Sequence, residues 1–230
     1  MTTVRHLLMT FDLPLSAWRV PAFRSAMIEW AGREHDLLHN HLNPPHDPDI
    51  PRGGFRYRYP LVQYRTNKGN AALFAMNEGA DVVADVLSQR TWQIILDGEP
   101  TLLRIADLQL REHELAYSDT LRTYQIRNWM ALNQQNYREY MQMNNIDDQT
   151  HRLEQLLSAQ IITFANYFHW QIPQRYDLTI HQFKQNTILY HGQKLIGIDA
   201  LFSVPLSLPY NIGLGKASSH GFGVLQRGYR

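Results

Sequence analysis

The sequence predicts an α+β fold of two tandem ferredoxin-like domains, the second carrying a helical insertion. Three observations predict it. Extended and helical patterns follow one another as β-α-β-β-α-β through residue 99. The order partly repeats after Pro100, with a more helical middle. The chain, 230 residues with 44% hydrophobic side chains, can bury one large core or two small ones. No detailed sequence repeat links the halves, so the duplication rests on element order alone. The expected domains are residues 1–99 and 100–230.

Each element has its own signal. Val4 to Leu13 alternates weakly and stops at Pro14, a first strand. Pro21 suits a helix start, and Ala22 to Asn40 carries a helical stripe of Phe23, Met27, Ile28, Trp30, Leu37 and Leu38, weakened by Gly32. NPPHDPDIPRGG, residues 43–54, is a loop. Phe55 to Thr66 and Ala71 to Met76 form a hairpin about Asn67-Lys68-Gly69. Asn77 to Gln89 is helical, and Thr91 to Leu96 supplies another strand. In the second half, Leu102 to Ala116 is extended. Ile126 to Met143 and Gln149 to Phe168 read as helices. Asp177 to Phe183, Thr187 to His191, Lys194 to Leu206 and Val224 onward read as strands.

Composition narrows the function. Lys and Arg number 22 against 21 Asp and Glu, so the chain is not basic throughout. It has no cysteine, which excludes disulfides, a thiolate nucleophile and a cysteine-based zinc site. MTTVRHLLMTFDLPL has no signal-peptide pattern, and no apolar run reaches the length of a membrane span. A soluble, cytoplasmic protein is expected. One segment departs from the even balance: residues 52–68 carry Arg52, Arg56, Arg58, Arg65 and Lys68, interleaved with Tyr and Phe, and no acid. Such a stripe suits a phosphate backbone and stacked bases; a solvated strand face has the same composition.

GLGKASSHGFGVLQR, residues 213–227, holds four glycines before a closing apolar run. A Walker-type phosphate loop needs a different spacing, and a dinucleotide loop needs G-x-G-x-x-G between strand and helix. Neither fits. Close glycines still let backbone N–H groups approach a phosphate, with Lys216 adding charge. A turn that docks the last strand is the plainer use.

The same residues resemble the C-terminal glycine-rich loop of the CRISPR repeat-processing endoribonucleases, the Cas6 family of the repeat-associated mysterious protein superfamily. Gly213, Gly215, Ser219, Gly221, Phe222 and Gly223 match its G-x-G-x-x-x-S-x-G-F-G form in order. LLHNH at 37–41, GFRYRYPLVQYR at 54–65, NEGAD at 77–81 and YQIRNWMALNQQNYREY at 124–140 also resemble one bacterial branch. The resemblance implies two ferredoxin-like domains and metal-independent cleavage of precursor CRISPR RNA. In that cleavage the 2′-hydroxyl attacks the adjacent phosphate and leaves a 2′,3′-cyclic phosphate and a 5′-hydroxyl. It implies repeat RNA as partner and no cofactor; association with other CRISPR effector or adaptation proteins stays open. The alternative within the lineage is an RNA-binding subunit that holds RNA without cutting.

That chemistry needs a base, an acid and cations. Histidine suits the proton transfers because its ordinary pKa is about 6.5. His35, His39, His41 and His46 cluster, and His35 and His39 would share a helical face. A metal pair there finds no acidic third ligand at an obvious position. The family places its catalytic histidine at the end of the first helix, which points to His39 first and His41 second. Arg52 lies where the family often has a lysine and can stabilise charge. The expected RNA-binding residues are Arg56, Arg58, Lys68, Gly213, Gly215, Lys216, Ser219, His220, Gly221 and Gly223, with no metal ligand; Arg122, Arg127 and Arg138 are further candidate backbone contacts.

Overall fold

The computed structural model describes residues 1–32, 35–39, 59–89, 91–190 and 192–228. It divides into two compact units, Arg5–Glu112 and Met1–Val4 with His113–Arg230. Each is taken by itself.

In the N-terminal unit, β1 (Thr2–Pro14), β2 (Val62–Asn67) and β3 (Asn70–Met76) lie in the order β2-β3-β1. β3 runs antiparallel to both neighbours, so β1 and β2 are parallel and split by it. This is the split β-α-β arrangement expected from the element order. Alternation divides the sheet. Leu7, Met9, Leu73 and Tyr64 face α1 (Val20–Ala31) and α3 (Glu78–Gln89) in one core with Phe23, Met27, Val83 and Leu87.

Two expected elements change here. The first helix does not run from 22 to 40. Gly32 takes φ +93°, α1 closes at Ala31, and a separate turn of helix, α2 (Asp36–His39), follows. The strand expected over residues 91–96 forms β4 (Gln93–Leu96), which leaves the main sheet and pairs only with β5 (Glu99–Leu102). Asp97 and Gly98 make their turn with φ +53° and +86°, the geometry a two-residue hairpin favours. The domain boundary expected at residues 99 and 100 falls within this hairpin; the compact units change at Glu112 and His113.

β6 (Ile105–Trp129) leads into the C-terminal unit. There α4 (Gln134–Gln142) and α5 (Ile146–Tyr167) precede β7 (Thr179–Tyr190), β8 (Gln193–Ser207) and β9 (Val224–Arg227). The order β9-β6-β8-β7 is antiparallel throughout. It repeats the split arrangement of the first unit. Ile126–Trp129, expected helical, is strand instead. There Ile126 pairs Ala200 on one side and Leu225 on the other, and two ladders outweigh local helix preference. The two strands expected over 177–191 join as one, because Gln185 and Asn186 stay in register with Ile198 and Gly197. The expected second helical segment becomes α5, started by Asn145, whose Oδ1 accepts the Asp147 N–H at 2.9 Å. Its Leu153, Leu157, Ile161 and Phe164 form one buried stripe. Between β8 and β9, where the ferredoxin-like pattern calls for a second helix, stands the glycine-rich stretch, with a single turn of 3₁₀ helix at Ser218–His220. Among the described residues no helix is long and apolar enough to cross a membrane.

The α5 stripe should carry much of the C-terminal core's stability. Phe164→Ala is expected to cost about 3–5 kcal/mol in urea unfolding. Ile162→Ala, on the exposed face of the same helix, should stay within about 0.5 kcal/mol.

Candidate nucleic-acid interface

The glycine-rich segment folds back on itself. Gly213 bridges Val224, Leu214 N–H donates to the Gly223 carbonyl at 2.9 Å, and Leu225 N–H donates to Ile212 at 2.8 Å. Gly223 has φ +64°, and a Cβ there would stand 2.0 Å from the Leu214 carbonyl oxygen. Gly215, at φ +85°, lies over the Trp129 indole, where an added Cβ would meet Nε1 at 2.8 Å. That indole N–H donates to Gln160 Oε1 at 2.6 Å. Both glycines are therefore demanded by close packing. Within the loop, His220 N–H goes to Ala217, Gly221 N–H to Ser218 and Gly223 N–H to Asn128. Those three amides serve protein carbonyls, so part of the expected cradle of backbone donors is engaged within the fold.

What the loop turns outward is Lys216, which is exposed. It borders a groove of about 720 Å³ shared with Tyr137, Thr187, Gln193 and Lys194. Among the described residues no acidic side chain lines it. Two ammonium groups and an exposed tyrosine ring suit a phosphodiester and a stacked base. Lys194 and Tyr137 were not visible as site residues in the sequence, since they meet Lys216 only through the β7-β8 hairpin and α4. His220 packs edge-to-face on Tyr190 at 5.5 Å, with Ser219 Oγ 3.1 Å from its Nδ1. Phe222 meets the same Tyr190 ring at 5.7 Å. Arg127 pairs with Asp199 at 3.1 Å, whose other oxygen accepts the Asn128 N–H at 2.7 Å.

The N-terminal unit holds the other expected residues. His39 ends α2. Buried Leu38 precedes it, and its carbonyl accepts the Tyr64 hydroxyl at 3.1 Å. Tyr64 is fully buried; desolvation pushes its pKa up, partly opposed by Arg24, so the hydroxyl remains a donor. The sheet thereby fixes the backbone that carries His39. His35 does not share a helical face with His39: it lies before α2, where its carbonyl accepts the Leu38 N–H at 3.0 Å. Lys68 is exposed at the β2-β3 turn with φ +50°. His41, Arg52, Arg56 and Arg58 lie outside the described residues.

Family models decide the lineage. The Cas6b N-terminal domain matches residues 2–114, and the Cas6b C-terminal domain matches residues 116–228. The chain belongs to the Cas6b family. A crystal structure of Cas6b superposes with TM-score 0.86 at 18% identity, covering 98% of this chain and 99% of that one. A second, titled a CRISPR RNA processing endoribonuclease Cas6b, gives 0.73 at 16% identity over the same shares. These likenesses concern the fold. An uncharacterized protein of Methanocaldococcus jannaschii is 29% identical over 99 residues, 43% of this chain and 67% of that protein. The Cas6b domains meet at residue 115, close to the division between the compact units.

The packing of this Cas6b loop has a direct consequence. Gly223→Ala is expected to destabilise the protein by about 2 kcal/mol or more, since backbone must move. Lys216→Ala should leave the thermal midpoint unchanged. Scanning calorimetry of both variants checks this.

Proposed function

We propose that this Cas6b protein is an endoribonuclease that cuts precursor CRISPR RNA within its repeats. The observation that supports it most is the acid-free groove of Lys194, Lys216 and Tyr137 beside the glycine-rich loop, in a chain matched along its length by the Cas6b domains. Arg56, Arg58 and Lys68 on the N-terminal unit, with loop residues Gly213, Gly215, Lys216, Ser219, His220, Gly221 and Gly223, form the RNA-binding set. The glycines shape the loop and Lys216 supplies its charge.

The reaction needs no metal. His39 takes the proton from a 2′-hydroxyl; His41 is its alternate. The O2′–P bond forms and the P–O5′ bond breaks, giving a 2′,3′-cyclic phosphate. The departing 5′-oxygen gains a proton and leaves as a 5′-hydroxyl, so no water is consumed. Arg52 offsets the charge growing on the phosphate. Tyr64 is a positioning residue, holding the Leu38 carbonyl next to His39.

Incubation with repeat RNA in excess chelator tests this. Cleavage with cyclic-phosphate ends is expected; intact RNA that stays bound would replace the enzyme with a holding subunit. His39→Ala should slow cleavage about 10²–10⁴-fold with binding retained. Loss in His41→Ala alone would transfer the role to His41. Tyr64→Phe should lower the single-turnover rate while leaving RNA affinity in place. Lys194→Ala and Lys216→Ala should each weaken binding and reduce the salt slope by about one; an unchanged slope would remove the groove from the interface.

A further inference from the structure

Gln160 reaches the glycine-rich loop from α5, and one hydrogen bond fixes which end of its amide faces inward. Trp129 is fully buried, and its indole N–H donates to Gln160 Oε1 at 2.6 Å. An indole nitrogen can only donate, so the amide must turn its oxygen to it. Nε2, with its two protons, then occupies the other end of a planar group. Among the described residues none accepts from Nε2, and that atom reaches solvent. The loop crosses this pair with bare backbone. A Cβ on Gly215 would stand 2.8 Å from the indole Nε1 and 2.9 Å from Gln160 Oε1. The next residue along the loop is exposed Lys216.

We propose that Gln160 is a further RNA-binding residue, whose amide N–H groups donate to a phosphate oxygen of the backbone that Lys216 attracts. The proposal rests on the reading of Lys216 as an RNA contact. The two side chains supply different things. A lysine ammonium is a point charge on a flexible stem and brings attraction with little direction. The Gln160 amide is neutral, but the buried indole holds its inner end, so its outer donors are aimed before RNA arrives and little freedom is lost on binding. A phosphate oxygen is the acceptor this pair suits, since it offers both charge and lone pairs beside the loop. Gln160 carries no sequence motif. It gains its role from Trp129 at the end of β6 and from the missing side chain at Gly215.

Repeat-RNA affinity of the full chain, measured beside thermal melts, tests it. Gln160→Glu keeps an oxygen for the indole and turns a second oxygen outward in place of the donors. It should melt with the wild type and bind about tenfold or more weakly. Thr163→Glu sets the same charge one turn along the exposed side of α5 and should weaken binding far less. Wild-type affinity in Gln160→Glu, or an equal loss in Thr163→Glu, would overturn the proposal. So would a lowered melting midpoint in Gln160→Glu, because the indole would then not be held by an oxygen. Lys216→Ala separates the two readings. If it weakens binding while Gln160→Glu does not, only the role of Gln160 falls; if neither it nor Gln160→Glu changes binding, the RNA reading of this loop falls with it.

Discussion

The C-terminal unit depends on one close approach: residue 223 must pass the Leu214 carbonyl with no room for a side chain. That approach lets Leu214 donate to Gly223 and brings Leu225 under Ile212. With those bonds made, β9 lies in register along β6, Leu225 against Ile126. Trp129, at the end of β6, then sits beneath Gly215 and reaches Gln160 of α5. A bulkier residue at 223 would open the loop and loosen the strand, the indole contact and the presentation of Lys216 together. The glycines act through packing.

Much of the fold was legible because the signals were local. Alternation gave β1, the Asn67–Gly69 turn gave the hairpin, and Gln149 to Phe168 read as the helix that became α5. What stayed hidden depended on distant partners. Ile126–Trp129 carries a helix-tolerant sequence and becomes strand because β8 and β9 flank it. Asp97-Gly98 looked like punctuation between domains and is a turn within a hairpin. The site followed the same rule. The glycine loop stood out because few structures need that spacing. Tyr137 and Lys194 carry no motif and gain meaning only beside Lys216.

The basic stripe shows why alternating cations on a strand are ambiguous. Arg65 belongs to it, yet it is 3% exposed. Its guanidinium lies 4.9 Å from the Phe74 ring and donates to Gln63 Oε1. Burial lowers its pKa to about 10, with Tyr59 opposing the shift; it is still charged at neutral pH. A buried cation costs desolvation unless it is well surrounded, so Arg65 holds the sheet rather than meeting solvent. Its neighbour Tyr64 points to the opposite face and fixes Leu38. Two consecutive residues of β2 thus anchor the sheet on one side and the backbone of the candidate histidine on the other.

The loop's internal hydrogen bonds also bear on how binding would be achieved. A loop that ordered itself on RNA would lose conformational entropy on association. This one has its turns closed by its own carbonyls, with His220 and Phe222 set against Tyr190. Lys216 is therefore presented from a preformed frame, and little ordering remains to be done. The same closure removes several amides as donors to phosphate. Under the proposed function, affinity would then fall to side chains, Lys216 with Lys194 and Tyr137, through electrostatics and stacking. Such contacts hold a backbone without reading a sequence. On the proposed reading such a groove would position RNA, and discrimination among repeats would have to come from contacts elsewhere on the chain.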